Sequence, residues 1–549
     1  MSTPKNDQMF PKLNGAQLAR IEAFGKRRRV EAGEILFDFG KVSPGVYVLI
    51  SGQIDIVGQA EGAETIVTVH EPGEFTGELN VLTGRPSLVR GRAAAAGEVL
   101  QIDRAELYRI VQTDPELSEI FLRAYILRRT YLIANSPGDV VLVGSSHSAD
   151  TLRLKSFLTR NGHPYTYVDV ERDPDIQVLL DHFQVKVSEI PVLICRGKSV
   201  LRRPTNAEAA ACLGFNAEID ENAVYDVIVV GAGPSGLAAA VYAASEGLKS
   251  LVLETNAPGG QAGSSSRIEN YLGFPTGVSG QELAGRAFIQ AQKFGAHVAI
   301  ARSAAALKCT QRPFTIQLSD GGFVSGNAVV IATGAEYRKL PLTNLSKFEG
   351  NGIYYGATPM EAQLCQDQEI AIVGGGNSAG QAAVFLSGFA KRVNVVVRGP
   401  GLAETMSRYL ISRIEDSPNI KLHTHTEIDS LEGEERLERV NWRCTETGGQ
   451  FTCNTQHLFL MTGATPNTAW LDGCVTLDDK RFVKTGTDLG PEELAAAKWP
   501  LRRQPYLLET SMPHVFAVGD VRSGSVKRVA SSVGEGSIAI QMVHKALAE

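Results

Sequence analysis

The chain reads as α/β. Two three-layer domains fill its C-terminal half, and a small β-barrel or jelly roll and a short α/β domain precede them. Three observations predict this. Two apolar runs, VIVV at 227–230 and IAIV at 370–373, each lead into a glycine-spaced turn and a helix of small residues. That is the pattern of a parallel strand buried on both faces and followed by a close-packed helix. Residues 10–130 instead alternate short apolar runs with glycine turns, as antiparallel β structure does. Residues 139–214 run strand, helix, strand, helix and hairpin. The expected domains are 1–136, 137–215, a split domain of 225–340 and 460–549, and an inserted domain of 341–459.

The first glycine turn organises the rest. In YDVIVVGAGPSGLAAAVYAASEGLKSLVLE (225–254), Gly231, Gly233 and Gly236 fall at GxGxxG spacing around Pro234 and Ser235. The first two allow a tight turn and close approach to a pyrophosphate. The third lets the helix pack on the strand with its first amides aimed at phosphate. Glu254 ends the next strand, where a carboxylate can hold ribose hydroxyls. Strand, glycines, helix, strand and acid in register predict a Rossmann-like dinucleotide site.

Composition sets bounds. The 549 residues suit three or four domains, and 43% hydrophobic content leaves no deficit of core. A net charge of -6 without a long basic run argues against a nucleic-acid surface, so no DNA partner is expected. The basic patch at 26–29 reads as a solvated face. The start, MSTPKNDQMFPKL, has no apolar core for a signal peptide, and no window suggests a membrane span. Seven cysteines without a pairing pattern point to a reducing cytoplasm. No two of them form CxxC.

In the first domain, 35–39, 46–50, 54–57, 65–69 and 98–102 read as strands, with helices at 15–24 and 104–133. The succession GEILFDFG, GVYVLISGQIDIV, GEFTGEL and Arg85–Pro86 resembles a cyclic-nucleotide-binding domain. The resemblance implies a ligand loop of Gly77, Glu78 and Leu79, with Glu78 on a ribose hydroxyl. The family's phosphate arginine is replaced by Ser87, which removes a strong charge-assisted contact. Arg85 or Arg90 is the substitute, or the pocket takes another nucleotide-like ligand, or it takes none and serves for docking.

The next unit, with VVLVG, a helix from SADTLRLKSFLTRNG, YTYVDV, a helix at 175–183, IPVLIC and KSVLRR, resembles a thioredoxin or glutaredoxin fold. Pro191 falls on that family's cis proline. The family's CxxC falls on Ser148 and Thr151, and the chemistry needs a low-pKa sulfur. The unit therefore reads as a redox-dead adaptor. Residues 216–223 form the linker.

From Tyr225 to Glu549 the chain resembles the low-molecular-weight thioredoxin reductases. The motifs are the first fingerprint, GGQA at 259–262, IENYLGF at 268–274, VVIATGA at 329–335, HLFLMTGATPNT at 457–468 and VFAVGDVRSG at 515–524. The resemblance implies FAD held by Gly260, Gln261, Asn270, Thr333, Gly334, Gly519 and Asp520, with Asp520 on the ribityl chain. It also implies that Arg528, Val529 and Ala530 reach the isoalloxazine edge, a helix at 534–548 closes the domain, and the chain forms a homodimer. A second fingerprint, Gly374, Gly376 and Ala379 with Asn377 and Ser378 between, opens the inserted domain. Its next strand ends in Arg398 rather than an acid. An arginine there favours a 2′-phosphate, with Arg408 as a second contact, so NADPH is expected.

The family's CxxC falls on Gly356 and Pro359 in YYGATPMEAQLC, and Cys365 stands alone after them. A disulfide relay needs two thiols within reach. The expected function is thus an NADPH-dependent FAD oxidoreductase with an unknown electron acceptor that is not a disulfide relayed through its own CxxC. The alternatives are a low-turnover redox or nucleotide sensor, and a thiol reductase using Cys365.

Overall fold

The computed structural model describes residues 8–549 apart from 61–62, 78, 136–139, 146–147, 172–185, 187–188, 196–198, 217–218, 266–267, 269–270, 343, 349–351, 358 and 435. The expected Glu78 and Asn270 contacts and the helix at 175–183 lie outside the described residues. The chain divides into two compact units. One comprises Met1–Ser145, Leu154–Asp220 and Ile289–Ala301; the other comprises Ser146–Arg153, Glu221–Phe288 and Arg302–Glu549.

The first unit opens with α1 (Gly15–Glu22), whose start is closed by a capping box between Asn14 and Gln17. Strands β1 (Lys26–Val30), β2 (Ile35–Phe37), β3 (Gly45–Ala60), β4 (Ala63–His70) and β5 (Arg90–Asp103) form an antiparallel sheet of order β1-β5-β3-β4, with β2 beside β5. A short helix α2 (Leu79–Thr83) precedes β5, and α3 (Arg104–Thr113) and α4 (Pro115–Asn135) follow it. Alternation along the first part of β3 sends Val46 and Val48 to the core under α3 and α4 and Leu49 to the opposite one. Register shifts between Leu49 and Ile54 then change the phase, so Ile54 and Ile56 join Leu49.

Two expectations are corrected here. The segments 46–50 and 54–57 are one strand, because Gly52 at φ 92 and register shifts against β5 bend it without ending it. The helix expected over 104–133 is two helices. Pro115 cannot sit inside a helix but suits a first position, and the Asp114 carboxylate accepts from Leu117 N at 3.1 Å.

A four-stranded sheet follows, of order β7-β6-β8-β9, built from β6 (Val140–Gly144), β7 (Thr166–Asp169), β8 (Val192–Cys195) and β9 (Ser199–Arg202). Strand β7 is parallel to β6, while β8 and β9 run antiparallel to their neighbours. Helix α5 (Ala149–Arg160) lies between β6 and β7 in the chain, and the Ile190–Pro191 peptide is cis. Helix α6 (Asn206–Leu213) ends on left-handed Gly214.

The second unit carries two parallel sheets. In the first, β10 (Val224–Val230) lies between β11 (Ser250–Glu254) and β15 (Phe323–Ile331), with α7 (Pro234–Ser245) crossing from β10 to β11. Strands β13 (Ala304–Lys308) and β14 (Phe314–Leu318) extend it through antiparallel pairs, β12 (His297–Ile300) preceding them in sequence. A two-stranded ribbon of β16 (Ala335–Tyr337) and β25 (Ala464–Pro466) joins the two halves. The second sheet has the order β17-β24-β18-β19-β20. Its strands are β17 (Ile353–Tyr354), β18 (Glu369–Val373), β19 (Arg392–Val396), β20 (Ile420–His423) and β24 (Leu458–Leu460). Helices α8 (Gly280–Lys293), α9 (Pro359–Leu364), α10 (Asn377–Leu386) and α11 (Arg408–Glu415) belong to this half of the sequence. A three-stranded antiparallel sheet, β21 (Thr426–Glu432), β22 (Arg439–Cys444) and β23 (Gln450–Cys453), covers part of the second core. Strand β26 (Val515–Ala517) returns to pair with β15, and α12 (Val529–Leu547) closes the chain, starting earlier than the expected residue 534.

Candidate functional site

Four separate loops meet at the first turn of α7. Gly231, at φ 104, brings the fingerprint within reach of the 332–334 turn, so a Cβ there would stand 2.3 Å from Ala332 O. A Cβ on Gly260 would stand 3.0 Å from Gly233 Cα, which places the GGQA loop against the fingerprint. Gly519 lies on the other side, its absent Cβ 2.6 Å from Ser235 Oγ. Gly236 is needed because a Cβ would collide with Gly231 O. Gln261 donates to Ala335 O, and Thr333 Oγ1 donates to Asn467 O at 2.8 Å. Asn467 returns Nδ2 to Thr333 O at 3.1 Å and its amide to Gly334 O.

The sites these loops make are electrostatically prepared. The N-cap of α7 is Gly233, which offers no side-chain cap, and Pro234 fills the first position. The remaining amides of that turn are open to an anion. Glu254 is buried at the end of β11. Its carboxylate accepts from Ala232 N at 2.8 Å, Asn256 N at 2.8 Å and Ala257 N at 3.2 Å, fixing the loops on either side. Asp520 is half-buried, and burial raises its carboxyl above the usual range against the pull of Lys527. Among the described residues its carboxylate has no hydrogen-bond partner. Such an acid, next to Gly519 and so near the first turn of α7, is able to accept hydrogen bonds from a ligand's hydroxyls. Arg528 is the N-cap of α12, with Val529 and Ala530 as its first residues.

Glu535 was not legible in the sequence. One of its oxygens accepts from Gly519 N at 2.7 Å and the other from Arg522 Nη2 at 2.5 Å, which sets the turn that presents Asp520. Only its position in the second turn of the closing helix could have marked it.

The second fingerprint repeats the geometry. Gly374, at φ 144, leaves 2.3 Å between its absent Cβ and Met461 O. Gly376 caps α10 without a side chain, and Ala379 is buried where the helix meets the sheet. Asn377 Oδ1 accepts from Ser407 N at 2.7 Å, tying α10 to the loop that leads into α11, while Ser378 is exposed. Arg398 follows β19 and Arg408 begins α11; both are exposed. Among the described residues neither makes a hydrogen bond or ion pair, so two cations flank the glycine turn and remain open to a phosphate.

The segment expected to lack the relay adjoins the first site. Gly356 faces Ser264, whose Oγ would lie 3.6 Å from a Cβ at that position, and Pro359 opens α9. Cys365 is fully buried among Ala362, Ile370 and Phe459. Burial, with the nearby Glu361 carboxylate, pushes its thiol up to about 12. A thiolate is therefore disfavoured there. Ser148 and Thr151 lie at the start of α5, with Thr151 N 3.4 Å from Ser148 Oγ. The structure also pairs Cys309 with Cys474 in a disulfide, which no spacing in the sequence indicated.

In the first unit Gly77, Arg85 and Ser87 line one cavity between the sheet and α4. Leu79 opens α2 beside it. Ser87 does not face a ligand with a free hydroxyl; its Oγ donates to Val89 O at 2.7 Å. Arg90 is diverted, pairing with Asp38 at 2.7 Å and with Glu64. Of the two proposed substitutes, the structure brings only Arg85 to the cavity.

Residues 225–536 match the pyridine nucleotide-disulphide oxidoreductase family, and residues 27–114 match the cyclic nucleotide-binding domain. NADPH-dependent thioredoxin reductase 3 of Arabidopsis thaliana is 30% identical over 366 residues, covering 62% of this chain and 64% of its own length. Thioredoxin reductase of Bacillus subtilis is 28% identical over 326 residues, covering 59% and 95%. Among solved structures, Lactococcus lactis thioredoxin reductase superposes with a TM-score of 0.53 at 25% identity, over 59% of this chain and 99% of its own. The T. acidophilum enzyme gives 0.53 at 27% identity, over the same shares.

Proposed function

The chain belongs to the pyridine nucleotide-disulphide oxidoreductase family, and we propose that it is an NADPH-dependent FAD oxidoreductase whose electrons leave without a thiol relay of its own. The observation that carries this reading is the pairing of two intact glycine fingerprints with Gly356 and Pro359 at the relay positions and a lone, buried Cys365 after them. FAD is held along α7 by Gly231, Gly233 and Gly236, with Asp520 on the ribityl hydroxyls and Glu535 fixing Asp520. NADPH is held along α10, with Arg398 and Arg408 on the 2′-phosphate. Hydride transfer between nicotinamide and flavin is the cofactors' own chemistry. The chain's residues bind and orient the two, and the buried walls of both sheets keep water from the strands behind them. The acceptor is external, of quinone, dye, oxygen or redox-protein class. The 137–215 unit is a thioredoxin-like adaptor without a CxxC, and the 1–136 domain is a regulatory module with a ligand site in its cavity. On this reading the chain works as a homodimer in the cytoplasm, a placement that no longer draws on unpaired cysteines, since Cys309 and Cys474 are joined.

The cavity in the first unit favours a second reading, a sensor in which the bound cofactors turn over slowly. An acceptor screen on purified, flavin-loaded protein separates the two. Steady NADPH oxidation with at least one non-disulfide acceptor is the expected result. Flavin bleaching by NADPH with no turnover on any acceptor favours the sensor. Turnover on disulfides that is lost in Cys365→Ser would return the relay to Cys365.

A further inference from the structure

One cation lining the cavity of the first unit keeps a donor nitrogen that no described acceptor meets. Arg128, from α4, is only 5% exposed. Its Nε donates to Met9 O at 2.9 Å, and its Nη1 donates to Phe75 O at 3.0 Å and Gly77 O at 2.8 Å. These bonds fix the guanidinium over the Phe75 ring, 4.7 Å from its centroid. Nη2 is buried and has no hydrogen-bond partner. Such a group costs stability unless something accepts from it. Burial lowers the guanidinium to about 10, against the pull of Tyr125 and Glu74. Among the described lining residues there is no carboxylate. Glu74, close by, is engaged by His70 Nδ1 at 3.1 Å and Glu71 N at 3.2 Å.

The rest of the lining fixes the kind of anion. Phe37, Ile56, Val67, Val89 and Leu132 make the walls apolar. The fork of Arg128 is already spent on backbone carbonyls, so it offers one nitrogen rather than a bidentate grip on phosphate. We propose that this cavity binds a small monocarboxylic acid with an apolar body, aromatic or branched aliphatic, with one carboxylate oxygen on Arg128 Nη2. This rests on the reading of the first domain as a ligand-binding regulatory module.

The same cavity has a route outward. Arg85, also in the lining, lies over the Phe215 ring at 4.8 Å. Phe215 packs on Phe157 at 5.7 Å and His163 at 5.5 Å. The next residue, Asn216, clamps Ile300 by accepting from its amide at 2.7 Å and donating to its carbonyl at 2.6 Å. An anion in the cavity competes with the Phe215 ring for Arg85.

The test uses the full-length, flavin-loaded protein and calorimetry with benzoate, 3-methylbutanoate and hexanoate, each beside its neutral amide. Cyclic AMP, cyclic GMP, cyclic di-GMP and inorganic phosphate complete the panel. At least one acid is expected to bind at about 1 mM or tighter, with its amide roughly 10- to 100-fold weaker, the range for a hydrogen bond to a charged group. Arg128→Gln should abolish binding, and the acid–amide comparison on the unaltered protein stands even if that variant misfolds. Equal binding of acid and amide, or no binding of any acid, overturns the proposal. Nucleotide binding without acid binding overturns the ligand class and leaves the regulatory reading intact. Acid binding that leaves NADPH oxidation unchanged keeps the site and removes the regulation.

Discussion

At the scale of single residues, the site is built from exceptions to ordinary packing: glycines where a Cβ would collide, arginines left without partners, an acid raised by burial. The glycines and arginines were legible because each needs a particular residue type at a fixed spacing. Arg128 and Glu535 were not, because each acts from a helix far from the loop it serves, and nothing local distinguishes a buried charge from an exposed one. Arg398 carries the sharpest consequence. It is exposed and uncommitted beside the second fingerprint, and a hydrogen bond to a charged phosphate contributes about 1.5–3 kcal/mol. Arg398→Glu should therefore raise KM for NADPH roughly 10- to 100-fold. KM for NADH, which lacks the 2′-phosphate, should move by less than about threefold on the same scale. Steady-state kinetics with both nucleotides decides it, and equal changes would mean that Arg398 does not read the phosphate.

Elements follow the same logic one level up. The parallel strands were legible as apolar runs, since burial on both faces leaves no alternation to misread. The antiparallel region was misjudged where glycine bends β3 and where Asp114–Pro115 divides α3 from α4, because periodicity alone does not separate a bend from a break. The crossing of α7 and α12 depends on one contact invisible to either helix by itself. Gly536 sits where a Cβ would stand 2.2 Å from Ser235 O and 2.9 Å from the Ala238 Cβ, whereas Gly534, on the same helix, has nothing within 4 Å. Gly536→Ala should cost about 1–3 kcal/mol through overpacking and release flavin, because Ser235 belongs to the fingerprint turn. Gly534→Ala should be neutral or stabilise by up to about 1 kcal/mol through helix propensity. Melting curves and the flavin absorbance per chain test the pair, and similar behaviour in both variants would rule out the close crossing.

For the molecule as a whole, the remaining features come from pairs distant in sequence. The disulfide joins Cys309 to Cys474 across 165 residues, a pairing no spacing rule can find. Its reduction should lower stability by about 2–4 kcal/mol, and melts with and without dithiothreitol, compared with Cys309→Ser, measure it; a variant with unchanged stability would show that the bridge adds nothing. Histidines give the second global property. His70, His297, His423, His457 and His514 are all held below their ordinary value, in each case first by burial. His457 is lowered from 6.5 to about 4. A depressed group contributes stability that is complete above its unfolded value and is lost as pH falls toward its folded value. The window is thus from about pH 6.5 down to pH 4. Within it, unfolded chains take up a proton that the fold refuses, and His457 alone withdraws about 3 kcal/mol by pH 4. Urea unfolding at pH 7.0, 5.5 and 4.5 should show stability falling steadily. His457→Asn should reduce that fall by about 2 kcal/mol at pH 4.5, where linkage has withdrawn most of the His457 contribution, and leave the other histidines to account for the rest. A pH profile with the same slope in both proteins would mean that His457 is protonated in the fold, and that the core between β17 and β24 admits charge.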